Sequence, residues 1–130
     1  TAKCGIEVII IMPHIPDKWY AFAVAQTYYE ELISAGVQIY EYTPGFVHAK
    51  VFVSDNDTAT VGTINLDYRS LYHHFECGTF IYNNPVVWEI ERDFQNTLKA
   101  CQKITMLDVK ARRIGMKMVG RVLRLIAPLM

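Results

Sequence analysis

His48 and Lys50 stand two residues apart in the run VHAKVFV, residues 47–53, whose apolar alternation predicts a strand. Side chains alternate between the faces of a strand, so an imidazole and an ammonium would project together while Ala49, Val51 and Val53 go to the other face. A neutral imidazole beside a fixed cation is a poor site for a metal cation and a good one for an anion. The imidazole can attack or carry a proton, and the ammonium can hold oxygen atoms. Phosphate is the anion that fits. A second strand, residues 58–64, follows the turn formers Ser54-Asp55-Asn56-Asp57. Near its end Thr63 and Asn65 would share a face, Asn65 could donate amide hydrogens to the same oxygens, and Gly62 would admit close backbone approach. The candidate phosphate-binding set is therefore His48, Lys50, Gly62, Thr63 and Asn65.

The order His48-x-Lys50, four residues, Asp55, six residues, Gly62-Thr63-x-Asn65 resembles the HKD motif of the phospholipase D superfamily, with Thr63 where serine is common. Glu76 stands where that family places an acidic residue that orients the catalytic histidine. The stretches YYEELISAGVQIYEYTPGFVHAKVFV and GTINLDYRS, and a basic tail ending in Pro128-Leu129-Met130, are similar to the carboxy-terminal half of the bacterial cardiolipin synthase family over nearly the whole chain. This resemblance implies an α/β, phospholipase D-like fold and a catalytic group of His48, Lys50, Asp55 and Glu76, with no metal or other cofactor. It implies transfer of a phosphatidyl group between two phosphatidylglycerol molecules through a phosphohistidine, giving cardiolipin and glycerol. It also implies two HKD motifs meeting about a pseudo-twofold axis, one histidine attacking phosphorus and the other protonating the leaving alcohol. Only one motif is present here, so an amino-terminal half upstream, or a second copy of the chain, would supply the other. The implied setting is a bacterial cell membrane, with the catalytic part on its cytoplasmic face and this piece soluble or peripheral.

Read residue by residue, the same positions carry plainer alternatives. His48 alone could be a histidine packed at a strand end, and Lys50 a solvated strand lysine. Asp55 suits turn fixing or pairing with a cation better than chemistry, and Gly62 and Thr63 could serve packing as well as substrate. Glu76 beside a histidine would favour the imidazolium and fix its tautomer. Asp67 and Arg69 match the family's extension after Asn65 and are read as pairing with each other or with backbone. His14, His73 and His74 are assigned no role beyond a place for His73 or His74 at a lipid entrance. The sequence leaves open whether His48 is nucleophile or acid, its place in a carboxy-terminal half favouring the acid.

The elements that must hold this motif follow from periodicity and breakers. A β-branched run at residues 6–12 predicts a buried strand, residues 17–35 a helix closed by Gly36, and residues 37–42 a strand, together one crossover unit. After the hairpin come a short helix beyond Asn65-Leu66-Asp67, a strand at residues 75–82, and a helix from Asn84 or Pro85 to about residue 103 with Pro at an acceptable first position. The expected architecture is a mixed sheet flanked by helices on both faces: a phospholipase D-like domain over residues 1–104 and a basic amphipathic tail helix over residues 105–130.

At 130 residues and 52% hydrophobic, the chain has the length of one domain and enough apolar content for a core, which excludes disordered and collagen-like classes. The net charge of zero hides a division. Through Leu98 there are five basic and twelve acidic residues, a net of −7, and from Lys99 eight basic residues face Asp108 alone, a net of +7. The acidic part argues against nucleic acid as a partner, since duplex binding relies on clustered cations. In the tail Lys110, Arg113, Lys117, Arg121 and Arg124 recur at helical steps beside a stripe of Ile114, Met118, Val122 and Leu125, and Arg112 breaks the pattern. Such a helix either contacts an anionic membrane surface peripherally or docks its apolar face on protein. Cys4, Cys77 and Cys101 read as free or buried thiols of a reducing compartment. The start at Thr1, close before the apolar string EVIIIM, reads as a cut from a longer chain. Besides the transferase, two functions fit these features: a single-motif phosphodiesterase or nuclease active as a homodimer, and a non-catalytic lipid-surface module.

Overall fold

The computed structural model describes residues 1–112 and 114–129; Arg113, counted above among the tail cations, and Met130 lie outside the described residues. The chain is α/β and phospholipase D-like, as expected, and its described residues form five α-helices and six strands in two three-stranded sheets. The described residues divide into two compact units, one of Thr1–Val47 with Ala100–Pro128, the other built on His48–Lys99. The tail belongs to the same unit as the chain's first part.

In the first unit, β1 (Ile9–Pro13) pairs in parallel with β2 (Gln38–Tyr42), and β2 pairs antiparallel with β6 (Cys101–Ile104). The crossover helix is broken into α1 (Trp19–Gln26) and α2 (Tyr29–Ser34). At the break the Thr27 hydroxyl donates to the Val24 carbonyl at 2.6 Å, a bond that competes with the regular helical ladder. Gly36 ends α2 as the pattern predicts, with φ at 94°. Its N–H bonds to the Ile33 carbonyl and that of Val37 to the Leu32 carbonyl, the paired closure that a left-handed residue makes possible.

Tyr29, Val37, Ile39, Ile104 and Val109 form the buried core of this unit. The expected helix to residue 103 stops instead at Lys99, and residues 101–104 become β6. Pairing with β2 brings Ile104 opposite Ile39, so the strand buries an apolar side chain in this core. Beside the core lies a buried carboxylate. Glu41, 3% exposed, accepts from Tyr29 Oη at 3.2 Å and Arg112 Nη2 at 3.0 Å, and meets His14 Nδ1 at 2.7 Å. The Arg112 guanidinium also lies over the Tyr29 ring, 4.8 Å from its centroid. Burial, with the Glu41 charge next in weight, pushes the Tyr29 phenol far above its ordinary value.

The tail is two helices, not one. Thr105 and Asp108 form a reciprocal capping box at the start of α4 (Met106–Ala111). Arg112 is extended, with φ −61° and ψ 145°, and α5 (Ile114–Ile126) follows. The residue that disturbed the cationic repeat is thus the one whose side chain turns inward to Glu41. Helix α5 packs on α1 through Gly120, where an added Cβ would lie 2.7 Å from the Ala23 carbonyl oxygen.

The second unit is an antiparallel meander of β3 (Val51–Ser54), β4 (Thr58–Gly62) and β5 (Gly78–Tyr82). The hairpin loop, three residues between the paired Ser54 and Thr58, holds Asp55 and Asn56 at φ 51° and 59°, left-handed conformations that Asp and Asn tolerate. Helix α3 (Val86–Lys99) starts after Asn84, whose side-chain oxygen accepts from the Val86 N–H at 3.0 Å, with Pro85 ahead of the first helical turn. It packs on β3 and β4. Among the described residues, no helix is long and apolar enough to cross a membrane.

Candidate active site

All the candidate site residues belong to the second unit. The strand expected from residue 47 begins only at Val51, so His48 and Lys50 precede it. Its partner β4 ends at Gly62, which leaves residues 47–49 with no strand to pair on that side. Strict alternation therefore does not set the direction of His48. Instead the Lys50 ammonium reaches back and donates to the His48 carbonyl at 2.8 Å. The ladder still extends to Lys50, whose carbonyl accepts from the Gly62 N–H at 3.1 Å. One hydrogen bond thus joins the two sequence segments, His48-x-Lys50 and Gly62-Thr63-x-Asn65.

Gly62 is needed for packing. A Cβ there would lie 2.6 Å from the Gly78 Cα and closer still to the Cys77 carbonyl oxygen, because the two glycines face each other across β4 and β5. Just past this close approach Thr63 bonds to the other chain segment through both its backbone and its hydroxyl. Its N–H donates to the Cys77 carbonyl at 2.9 Å, its hydroxyl oxygen accepts from the Cys77 N–H at 3.1 Å, and its hydroxyl donates to the Glu76 carboxylate.

The Glu76 carboxyl is held below its ordinary value chiefly by the Thr63 hydroxyl and next by the Ser70 hydroxyl, with the His74 and Lys50 charges adding to them. Glu76 is half-buried; His48, Thr63 and Asn65 are exposed, and Lys50 is half-buried. Asp55 is not brought to this group. It lies in the hairpin turn, five residues along an extended strand from Lys50, on the order of 15 Å at the usual strand rise. There it accepts from the Ser54 hydroxyl at 3.1 Å.

Ser70 is the neighbour that sequence reasoning missed. It is buried in a π-helical turn, Arg69–His73, and its N–H bonds to the Asp67 side chain at 2.7 Å. Its signal was available: it closes the stretch GTINLDYRS. Asp67 caps backbone, as one of its two readings had it, while the Arg69 guanidinium bonds to the His74 ring. Cys4 and Cys77 are free, exposed thiols, and Cys101 is half-buried.

The family described as "Cardiolipin synthase, PLD-like domain" matches residues 1–98, which include the whole motif and Glu76. The chain belongs to this family. Among its relatives are the cardiolipin synthase of Clostridium perfringens strain SM101, 40% identical, and cardiolipin synthase 2 of Bacillus anthracis, 38% identical, each aligned over 99% of this chain. A Streptococcus mutans protein without a described function is 53% identical over the same share. The chain spans about a quarter of the length of these relatives, 25% to 28% of each. The cardiolipin synthase-family domain thus carries its motif on the β3–β4 hairpin, with Glu76 on the approach to β5.

Proposed function

We propose that this domain is the carboxy-terminal part of the active site of a phosphatidyltransferase that makes cardiolipin from two phosphatidylglycerol molecules. The observation that supports it best is the Gly62 N–H to Lys50 carbonyl bond, which draws both segments of the family motif to one end of one hairpin. There Lys50, and Asn65 past the strand end, hold the non-bridging oxygens of a phosphodiester, and His48 serves the reaction through its imidazole.

In the first half-reaction a histidine nitrogen attacks phosphorus and the phosphorus–oxygen bond to glycerol breaks. A second histidine gives its proton to the departing glycerol oxygen. In the second half-reaction that histidine takes a proton from the hydroxyl of another phosphatidylglycerol, whose oxygen attacks phosphorus and breaks the phosphorus–nitrogen bond. His48 is one of the pair and, by its place in the chain, the acid and base. The other comes from the remainder of the parent protein or from a second copy of this chain. Glu76, kept ionised by Thr63 and Ser70, adds negative charge that favours a protonated imidazole in the group.

The test is cardiolipin and glycerol production from phosphatidylglycerol by the full-length protein that contains this chain. A His48→Ala variant is expected to lose about 10²–10⁴-fold in rate, the contribution of a positioned acid or base. Turnover at the wild-type rate in that variant would sink the reading.

A further inference from the structure

Helix α5 docks through Gly120, with Leu123 half-buried beside it. Gly120 and, just past the helix end, Ala127 are buried, and the Gly120 backbone sits against Ala23 and Thr27 of the first unit. The apolar stripe points the other way. Ile114, Met118, Val122 and Leu125 are 76%, 62%, 64% and 82% exposed, along about 16 Å of helix at the usual rise. Packing on the unit therefore leaves this stripe uncovered.

The flank of the stripe is cationic. Arg121 is exposed, Lys117 donates to the Lys110 carbonyl at 3.0 Å, and Arg124 lies over the Tyr28 ring at 3.9 Å and within 3.6 Å of Glu31. No Asp or Glu follows Asp108 in the sequence. Arg112, clasped to the buried Glu41, anchors the extended link just before α5 and so restrains how the helix can turn.

We propose that α5 is an interfacial anchor, seated in an anionic bilayer surface with Ile114, Met118, Val122 and Leu125 at the acyl boundary and Lys117 and Arg121 at the level of the lipid phosphates. An apolar ridge with cations along one edge, on a helix with no carboxylate of its own and with Glu31 at the Arg124 end only, matches such a surface in both shape and charge. A protein partner is matched less well, since a stable protein interface takes about 20–30 residues a side and this is the ridge of a single helix. The proposal stands apart from the catalytic reading, because every residue it uses is in the first unit and the motif is in the second.

Flotation of the 130-residue chain with vesicles tests it. Phosphatidylserine in phosphatidylcholine is the probe, an anionic lipid distinct from the proposed substrate, with phosphatidylcholine alone as the neutral comparison. The chain should float with the anionic vesicles and lose binding as salt rises. Arg121→Glu should weaken binding at least fivefold, since each basic residue near such a surface contributes about that factor. Val122→Asp with Leu125→Asp should abolish it. Unfolding midpoints are compared throughout, and the exposed Arg121 and the salt titration keep the test decisive if the double variant is unstable. Equal flotation with neutral vesicles, or undiminished binding by a folded stripe variant, would overturn the proposal. So would a wild-type dimer that the stripe variant dissociates, with no vesicle binding by either form.

Discussion

The hydroxyl of Thr63 donates a hydrogen bond to the carboxylate of Glu76, thirteen residues later in the chain. The contact stabilises the charged carboxylate, so Glu76 titrates below its ordinary value of 4.5. Its ionised form contributes stability that is fully present above pH 4.5 and is lost as the pH falls through the lowered folded-state value. Replacing Thr63 with Val should move the Glu76 titration upward, and Thr63→Ser should keep it near the wild-type position. Side-chain carboxyl NMR across the acid range reads both; an unchanged titration in Thr63→Val would remove the hydroxyl as the cause.

Gly62 faces Gly78 across the ladder at the point where the motif's second segment begins. Gly62→Ala forces the β4 and β5 backbones apart, because the new methyl meets backbone atoms that cannot rotate away. Overpacking of this kind costs about 1–3 kcal/mol. Denaturant unfolding should show that loss, and hydrogen exchange of the amide at position 62 should quicken as its bond to Lys50 lengthens. Wild-type stability in the variant would mean that the strands separate freely here.

Arg112 closes the charge cluster on Glu41 from a point between two helices. Removing it as Arg112→Ala leaves a buried carboxylate with Tyr29 and the half-exposed His14, at a cost of about 2 kcal/mol for a hydrogen bond to a charged group. Arg112→Lys should recover only part of this, since an ammonium keeps the charge and lacks the planar guanidinium that stacks on Tyr29. Unfolding curves of the two variants against the wild type measure the difference, and equal stability of all three would show the cluster to be neutral.

Several features were legible before any coordinates, and they share a cause. The closure of α2 at Gly36, the Ser54–Asp57 turn, the start of α3 after Asn84 and the amphipathic pattern of α5 all depend on residues close to one another in the chain. Their backbone preferences and side-chain caps operate whatever the rest of the chain does. The family match carried the HKD spacing to a known fold.

What tertiary structure decided depends on partners far along the chain. Residues 101–104 continue a helical pattern yet become a strand because β2 offers a ladder and Ile39 a place for Ile104. His48 lies outside a strand because β4 ends opposite Lys50. The sequence determined that Thr63 and Glu76 exist at family positions, and that the tail has a cationic edge and an apolar stripe. Only packing decided that Thr63 reaches Glu76, that Arg112 turns in to Glu41, and that α5 docks through Gly120 with its stripe outward. Those outcomes follow from which surfaces fit when distant segments meet, and close approach is set by the absence of a side chain at Gly62 and Gly120 as much as by the groups that are present.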